Sequence, residues 1–141
     1  MVFARWTQAA IAGFLLMGGL SACDGGPTTP SGFFQALISG SVVTPAGDEV
    51  QAARLTIWPF RDHCDGRRVG RIVVLSSETG RYEKEITADT PEPLSCLKIE
   101  VEAPPESGLR DTTFTVMPVD LALREEPPFD SLRVDVTLPA P

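Results

Sequence analysis

Asp62-His63-Cys64-Asp65-Gly66 is the segment where side chains able to do chemistry stand closest together. A reduced Cys64, with His63 and the two aspartates, would offer ligands to zinc or another transition metal. Adjacent residues of an extended loop rarely converge on one ion, and the chain has a single histidine. With Cys64 oxidised only Asp62 and Asp65 remain, a thin start for a calcium loop. The favoured reading is a solvated, charged loop, and no metal or other cofactor is assigned. Nucleophilic chemistry needs a base held beside the nucleophile, and no Gly-x-Ser-x-Gly turn accompanies His63. The carboxylate pairs Glu83/Glu85 and Glu100/Glu102 occupy alternate positions of strand-like runs. They read as solvent faces, without the buried and shifted environments that acid–base work requires. The expectation is that the chain is not an enzyme, with no catalytic residue to name.

Ligand binding is the more open question, and Trp58 with Phe60 carries it. If their strand stays regular, both fall on the face opposite Leu55 and Ile57. An exposed tryptophan there would stack on a sugar ring or anchor a protein contact. The competing expectation is that Pro59 breaks the strand and Trp58 packs into the core or under the loop 61–68, as large aromatics usually do.

The elements that position these residues are strands. From residue 36 onward apolar residues alternate, turn residues recur at intervals of about ten, and no stretch carries a convincing helical period. The runs are 36–44, 52–60, 71–76, 81–88, 94–103, 112–119 and 131–138. The fifth alternates most cleanly, with Leu97, Ile99 and Val101 against Lys98, Glu100 and Glu102. In the last, Leu132, Val134, Val136 and Leu138 oppose Arg133, Asp135 and Thr137. Residues 121–126 have the composition of one helical turn, which Pro127-Pro128 would stop. Seven short strands with one apolar face each predict an all-β fold, a seven-stranded antiparallel sandwich of two sheets.

Ahead of the strands, Arg5 and an apolar run over residues 9–20 precede Leu20-Ser21-Ala22-Cys23. The run is too short for the ~20 residues that span a bilayer as a helix. The four residues resemble the lipobox of bacterial lipoproteins, which implies cleavage before Cys23 and acylation of that cysteine. An ordinary cleaved leader or an uncleaved anchor are the competing readings. Residues 1–22 are then a signal peptide, 23–35 a lipidated cysteine with a Gly/Pro-rich tether, and 36–141 the sandwich domain. The resemblance implies a protein held on a membrane of the bacterial envelope, facing the periplasm or the exterior, with acyl chains such as palmitate embedded in lipid.

The whole chain has 12 Lys and Arg against 19 Asp and Glu, a net charge of −7. Loss of the leader removes Arg5 and no acid, leaving −8. Such a balance argues against nucleic acid and against docking on anionic lipid headgroups. With Cys23 acylated, Cys64 and Cys96 form an even pair in an exported protein and read as a disulfide, a free or metal-binding pair being the alternative.

Ile38-Ser39-Gly40-Ser41-Val42, a Pro/Gly turn, the spacing Val50-x-x-Ala53-x-Leu55-x-Ile57, and Thr79-Gly80-x-Tyr82 together resemble the carboxypeptidase regulatory-like domain. The match covers most of 36–103 and departs at Lys84, where that family usually has an apolar residue. The resemblance implies a transthyretin-like (prealbumin-like) sandwich with an accessory role in folding, attachment or partner contact. Gly40 would allow a close approach and Gly80 a tight turn. The expected function is a structural or protein-interaction module with an envelope protein as partner. A carbohydrate-binding module using Trp58 and Phe60 is the alternative, and a metal-binding protein using residues 62–65 the third.

Overall fold

The computed structural model describes residues 33–141; the leader, Cys23 and most of the tether lie outside the described residues. Eight strands follow in order: β1 (Phe34–Val43), β2 (Arg54–Phe60), β3 (Ile72–Leu75), β4 (Arg81–Ala88), β5 (Cys96–Glu102), β6 (Thr112–Val116), β7 (Asp130–Arg133) and β8 (Val136–Thr137). They form two sheets, β4-β1-β7 with β8 also on β1, and β3-β2-β5-β6. The fold is an all-β sandwich. Its core is the set of inward residues that the alternation marks: Ile38, Val42, Leu55, Ile57, Ile86, Leu97, Ile99, Val101, Val136 and Leu138 are all buried. Phe34 and Gln35, expected in the tether, already belong to β1. No helical turn forms at 121–126: Leu121 bridges Leu94, and Arg124 bridges Gln35.

The last run departs from the expected antiparallel sandwich in two ways. It is split into β7 and β8, giving eight strands, and both pair with β1 in parallel rather than antiparallel. At the break, the Val134 N–H donates to the Ser39 carbonyl at 2.8 Å, while the Val134 carbonyl accepts from the Tyr82 hydroxyl at 2.6 Å. That carbonyl occupies the space where any Cβ on Gly40 would stand. Only glycine admits it. Tyr82 sits directly opposite Gly40 in the β1–β4 register, so its ring covers the bare backbone and its hydroxyl reaches across to the edge strand. Burial of the phenol, with the Asp135 charge nearby, raises the Tyr82 pKa far above its ordinary value.

One residue further, the Asp135 carboxylate accepts from the Ser41 amide and hydroxyl, both at 2.9 Å, and pairs with Arg133 at 3.0 Å. These contacts, the Arg133 guanidinium first, hold the Asp135 carboxyl below the usual range. The ladder resumes at Val42 opposite Val136. Gly80, at a positive φ of 68°, makes the tight turn into β4, and its carbonyl accepts from the Val42 amide at 2.8 Å.

Lys84 stands opposite Ile38 on the core-facing side of β4, yet it is exposed. β4 ends its sheet, so the long stem can leave sideways to water. An inward-pointing charge on an edge strand also discourages pairing with another chain.

Gly40→Ala and Tyr82→Phe should each destabilise the domain by about 1–3 kcal/mol, the first by overpacking, the second by leaving the Val134 carbonyl unsatisfied. Urea unfolding measures both. Asp135→Asn should destabilise at neutral pH only. A depressed folded-state pKa contributes stability above the unfolded value of 3.8 and loses it as pH falls through the folded value, so variant and parent should converge in acid.

Candidate binding surface

The β2–β3 hairpin continues past its strands: Phe60 bridges Arg68, the Val69 amide donates to the Pro59 carbonyl at 2.8 Å, and residues 61–67 form the loop between. Cys64 in that loop is bonded to Cys96, with Cα atoms 5.3 Å apart. Cys96 is paired with Phe60 and shares its outward side of the sheet, away from Leu97, Ile99 and Val101. It is nevertheless fully buried, because the stapled loop lies over it.

Arg61 makes the second attachment of the loop. Its side chain is 4% exposed and bonds Glu92 and the Thr90 hydroxyl, with Asp89 at 3.6 Å. Arg67 reaches the same Glu92 oxygen at 3.1 Å. A buried guanidinium persists only when its donors are matched in this way.

The loop's return places Arg68 over the Trp58 ring, 4.4 Å from its centre, and Arg71 at 5.4 Å. Register explains the grouping: Ile57 lies opposite Ile72, which leaves Arg71 beside Trp58, and Lys98 stands opposite Trp58 on β5. Each cation over the indole is worth about 0.5–2 kcal/mol. The Trp58 Nε1 is buried with no partner at hydrogen-bond geometry, though it approaches the Glu100 carboxylate. That carboxyl is held below the usual range, first by the Lys98 ammonium at 3.0 Å and then by the indole. Arg54 pairs with Glu102 at 3.4 Å. Among the described residues no ion pair takes Arg68 or Arg71. On the edge strand β3, Val73 (37%) and Leu75 (59%) expose apolar surface on the same face as Arg71.

Trp58 and Phe60 thus lie on the outer face, as a regular strand demands, and both are half-buried. Pro59 does not break β2, because its missing N–H would point to the hairpin side, where its carbonyl takes the Val69 amide instead. The face of the indole that a sugar would need is covered by Arg68. Asp62, His63 and Asp65 are exposed, while Cys64 is held in the disulfide and cannot serve as a thiolate ligand. Among the described residues no three of His, Cys, Asp and Glu come together to hold a metal. Sequence reasoning missed Arg68 and Arg71. Extending the hairpin register past Ile72 would have found Arg71 beside Trp58. Arg68 reaches that face only because the pairing slips by one residue at Val69–Gly70, so that Phe60 rather than Arg61 bridges it.

No family model and no curated protein matches the sequence. Solved structures share the fold. A chlorocatechol 1,2-dioxygenase from Pseudomonas putida aligns with a TM-score of 0.52 at 12% identity, over 76% of this chain and 61% of that one. Catechol 1,2-dioxygenase from Acinetobacter radioresistens aligns at 0.56 and 16%, over 77% and 52%. The dioxygenase domain of a dioxygenase–carbohydrate-binding protein fusion from Streptomyces sp. SirexAA-E aligns at 0.53 and 15%, over 82% and 84%. The chain spans only about half to three-fifths of the length of the first two.

These likenesses overturn one expectation. The inference that the chain is not an enzyme rested on the absence of short catalytic motifs, yet the same sandwich is the framework of enzymes in those proteins. The exclusion is withdrawn. Identity of this size carries the fold alone, and function belongs to sites placed on it.

Removing the disulfide by Cys64→Ser with Cys96→Ser should cost roughly 3–4 kcal/mol in the chain-entropy description of a closed loop, read by denaturant unfolding. The chain has two tryptophans, so Trp6→Phe leaves Trp58 as the sole reporter. In that background Arg68→Ala with Arg71→Ala should red-shift its emission and increase acrylamide quenching.

Proposed function

We propose that the chain is a lipid-anchored protein of the bacterial envelope whose β-sandwich acts as a structural or protein-interaction module at the membrane surface. The observation that carries this reading is Leu20-Ser21-Ala22-Cys23 following an apolar run too short to cross a bilayer. A disulfide that fastens a surface loop to the buried Cys96 supports it, since such bonds persist in oxidising, exported compartments. The contacts of Gly40, Gly80 and Tyr82 support the likeness to the carboxypeptidase regulatory-like domain, whose role is accessory. Partner contact is assigned to the outer face of β3-β2-β5-β6, where Trp58, Arg68, Arg71, Val73 and Leu75 adjoin. Contact with a glycan ranks behind contact with a protein, because a sugar would have to displace Arg68 from the indole.

The test is expression of the full chain with a palmitate analogue, followed by fractionation and mass spectrometry. The parent should carry label, sit in the membrane fraction and begin at a modified Cys23. Cys23→Ala should lose the label and leave the membrane. An unlabelled parent starting at Met1 contradicts the proposal.

A further inference from the structure

We propose that the free edge of β3, together with Arg68 and Arg71, is the docking site for an extended, acidic segment of a partner protein. The inference deepens the interaction-module reading by naming the chemistry of the partner.

β3 ends its sheet, and among the described residues no strand pairs with its other side. The Ser76 amide bonds the Ala53 carbonyl at 2.9 Å, and strand alternation from that pair turns the Val74 and Ile72 backbone groups toward β2. Those of Val73 and Leu75 face the free side. An exposed edge with unpaired backbone groups is a template for strand addition, in which main-chain bonds supply affinity and side chains supply choice. The side chains here are Arg71, Val73 and Leu75 on the outer face, with Arg68 above them over Trp58.

Charge decides the kind of strand. On this sheet face Arg54, Lys98 and, at its end, Arg61 and Arg67 are each neutralised by a carboxylate of the chain itself. Arg68 and Arg71 rest on the indole without a close ion pair among the described residues, Arg71 feeling the Glu100 carboxylate only at longer range. That leaves guanidinium donors available to bind carboxylates in the bidentate manner. The chain carries −7 overall. An acidic segment is therefore repelled by most of the surface and accepted here, which gives register as well as attraction. A stacked sugar finds the aromatic face covered, whereas a carboxylate finds donors already positioned.

The experiment uses the full chain carrying Trp6→Phe, titrated with a short peptide that alternates glutamate and valine. Matched controls are a lysine–valine peptide and an oligogalacturonate. The glutamate peptide should change Trp58 emission saturably, weaken with added salt, and protect the Val73 and Leu75 amides from hydrogen exchange. Arg68→Ala with Arg71→Ala should weaken it about tenfold or more, as loss of a charge-assisted contact does. Equal binding by that variant overturns the proposal, as does an emission change without protection of the two amides. A response to oligogalacturonate and not to the peptide assigns the surface to glycan and also overturns it. None of these readings depends on Cys23, so failure here and failure of lipid anchoring are separate results.

Discussion

The first sheet depends on one backbone carbonyl. Val134 directs its oxygen over Gly40, into a volume that any other residue would fill, and Tyr82 secures it from the opposite strand. The consequence spreads along β1. The edge strand must break where the carbonyl turns in, which leaves two short parallel pairings in place of one long strand, with Asp135 bonding the Ser41 groups at the gap. A buried hydroxyl donor matched to a buried carbonyl costs little. Either partner left alone in the core costs the desolvation of a polar group.

The second sheet is completed by a different device at the end of the sandwich where β1 begins and β4 finishes. Cys64–Cys96 and the Arg61–Glu92–Thr90 contacts fasten the loop 61–67 across the start of β5. The fastening fixes the return path through Arg68 and Arg71, and so decides what the outer face offers: an indole beneath two guanidinium groups, next to an uncovered edge strand. Core packing, loop closure and the surface assigned to a partner are linked through the single hairpin β2–β3.

Much of this was legible in the chain. Alternation in residues 94–103 and 131–138 marks the inward side chains correctly, because a half-buried sheet has a period of two. Gly40 and Gly80 marked a close approach and a tight turn. What could not be read is pairing between residues distant in sequence: nothing near Gly40 announces that Val134 will cross it. Burial of Arg61, among several arginines in one loop, also depends on Asp89, Thr90 and Glu92 arriving from another strand's end. The outward side of Trp58 followed from periodicity, while its cover came from a hairpin longer than the apolar pattern. Exclusion of enzymes failed for a related reason, since short motifs are a local signal and the sandwich seen in dioxygenases is recognisable only in three dimensions.

Tyr82 is the sole tyrosine, so its ionisation can be followed directly by ultraviolet absorbance as pH rises. A raised folded-state pKa contributes stability that is intact below the unfolded value of about 10 and lost as pH climbs above it. Tyrosinate should therefore stay undetectable through that value and appear only as circular dichroism records loss of the sheets. Reversible titration near the ordinary value, with the sheets intact, would contradict the account of Tyr82 as the buried donor to Val134.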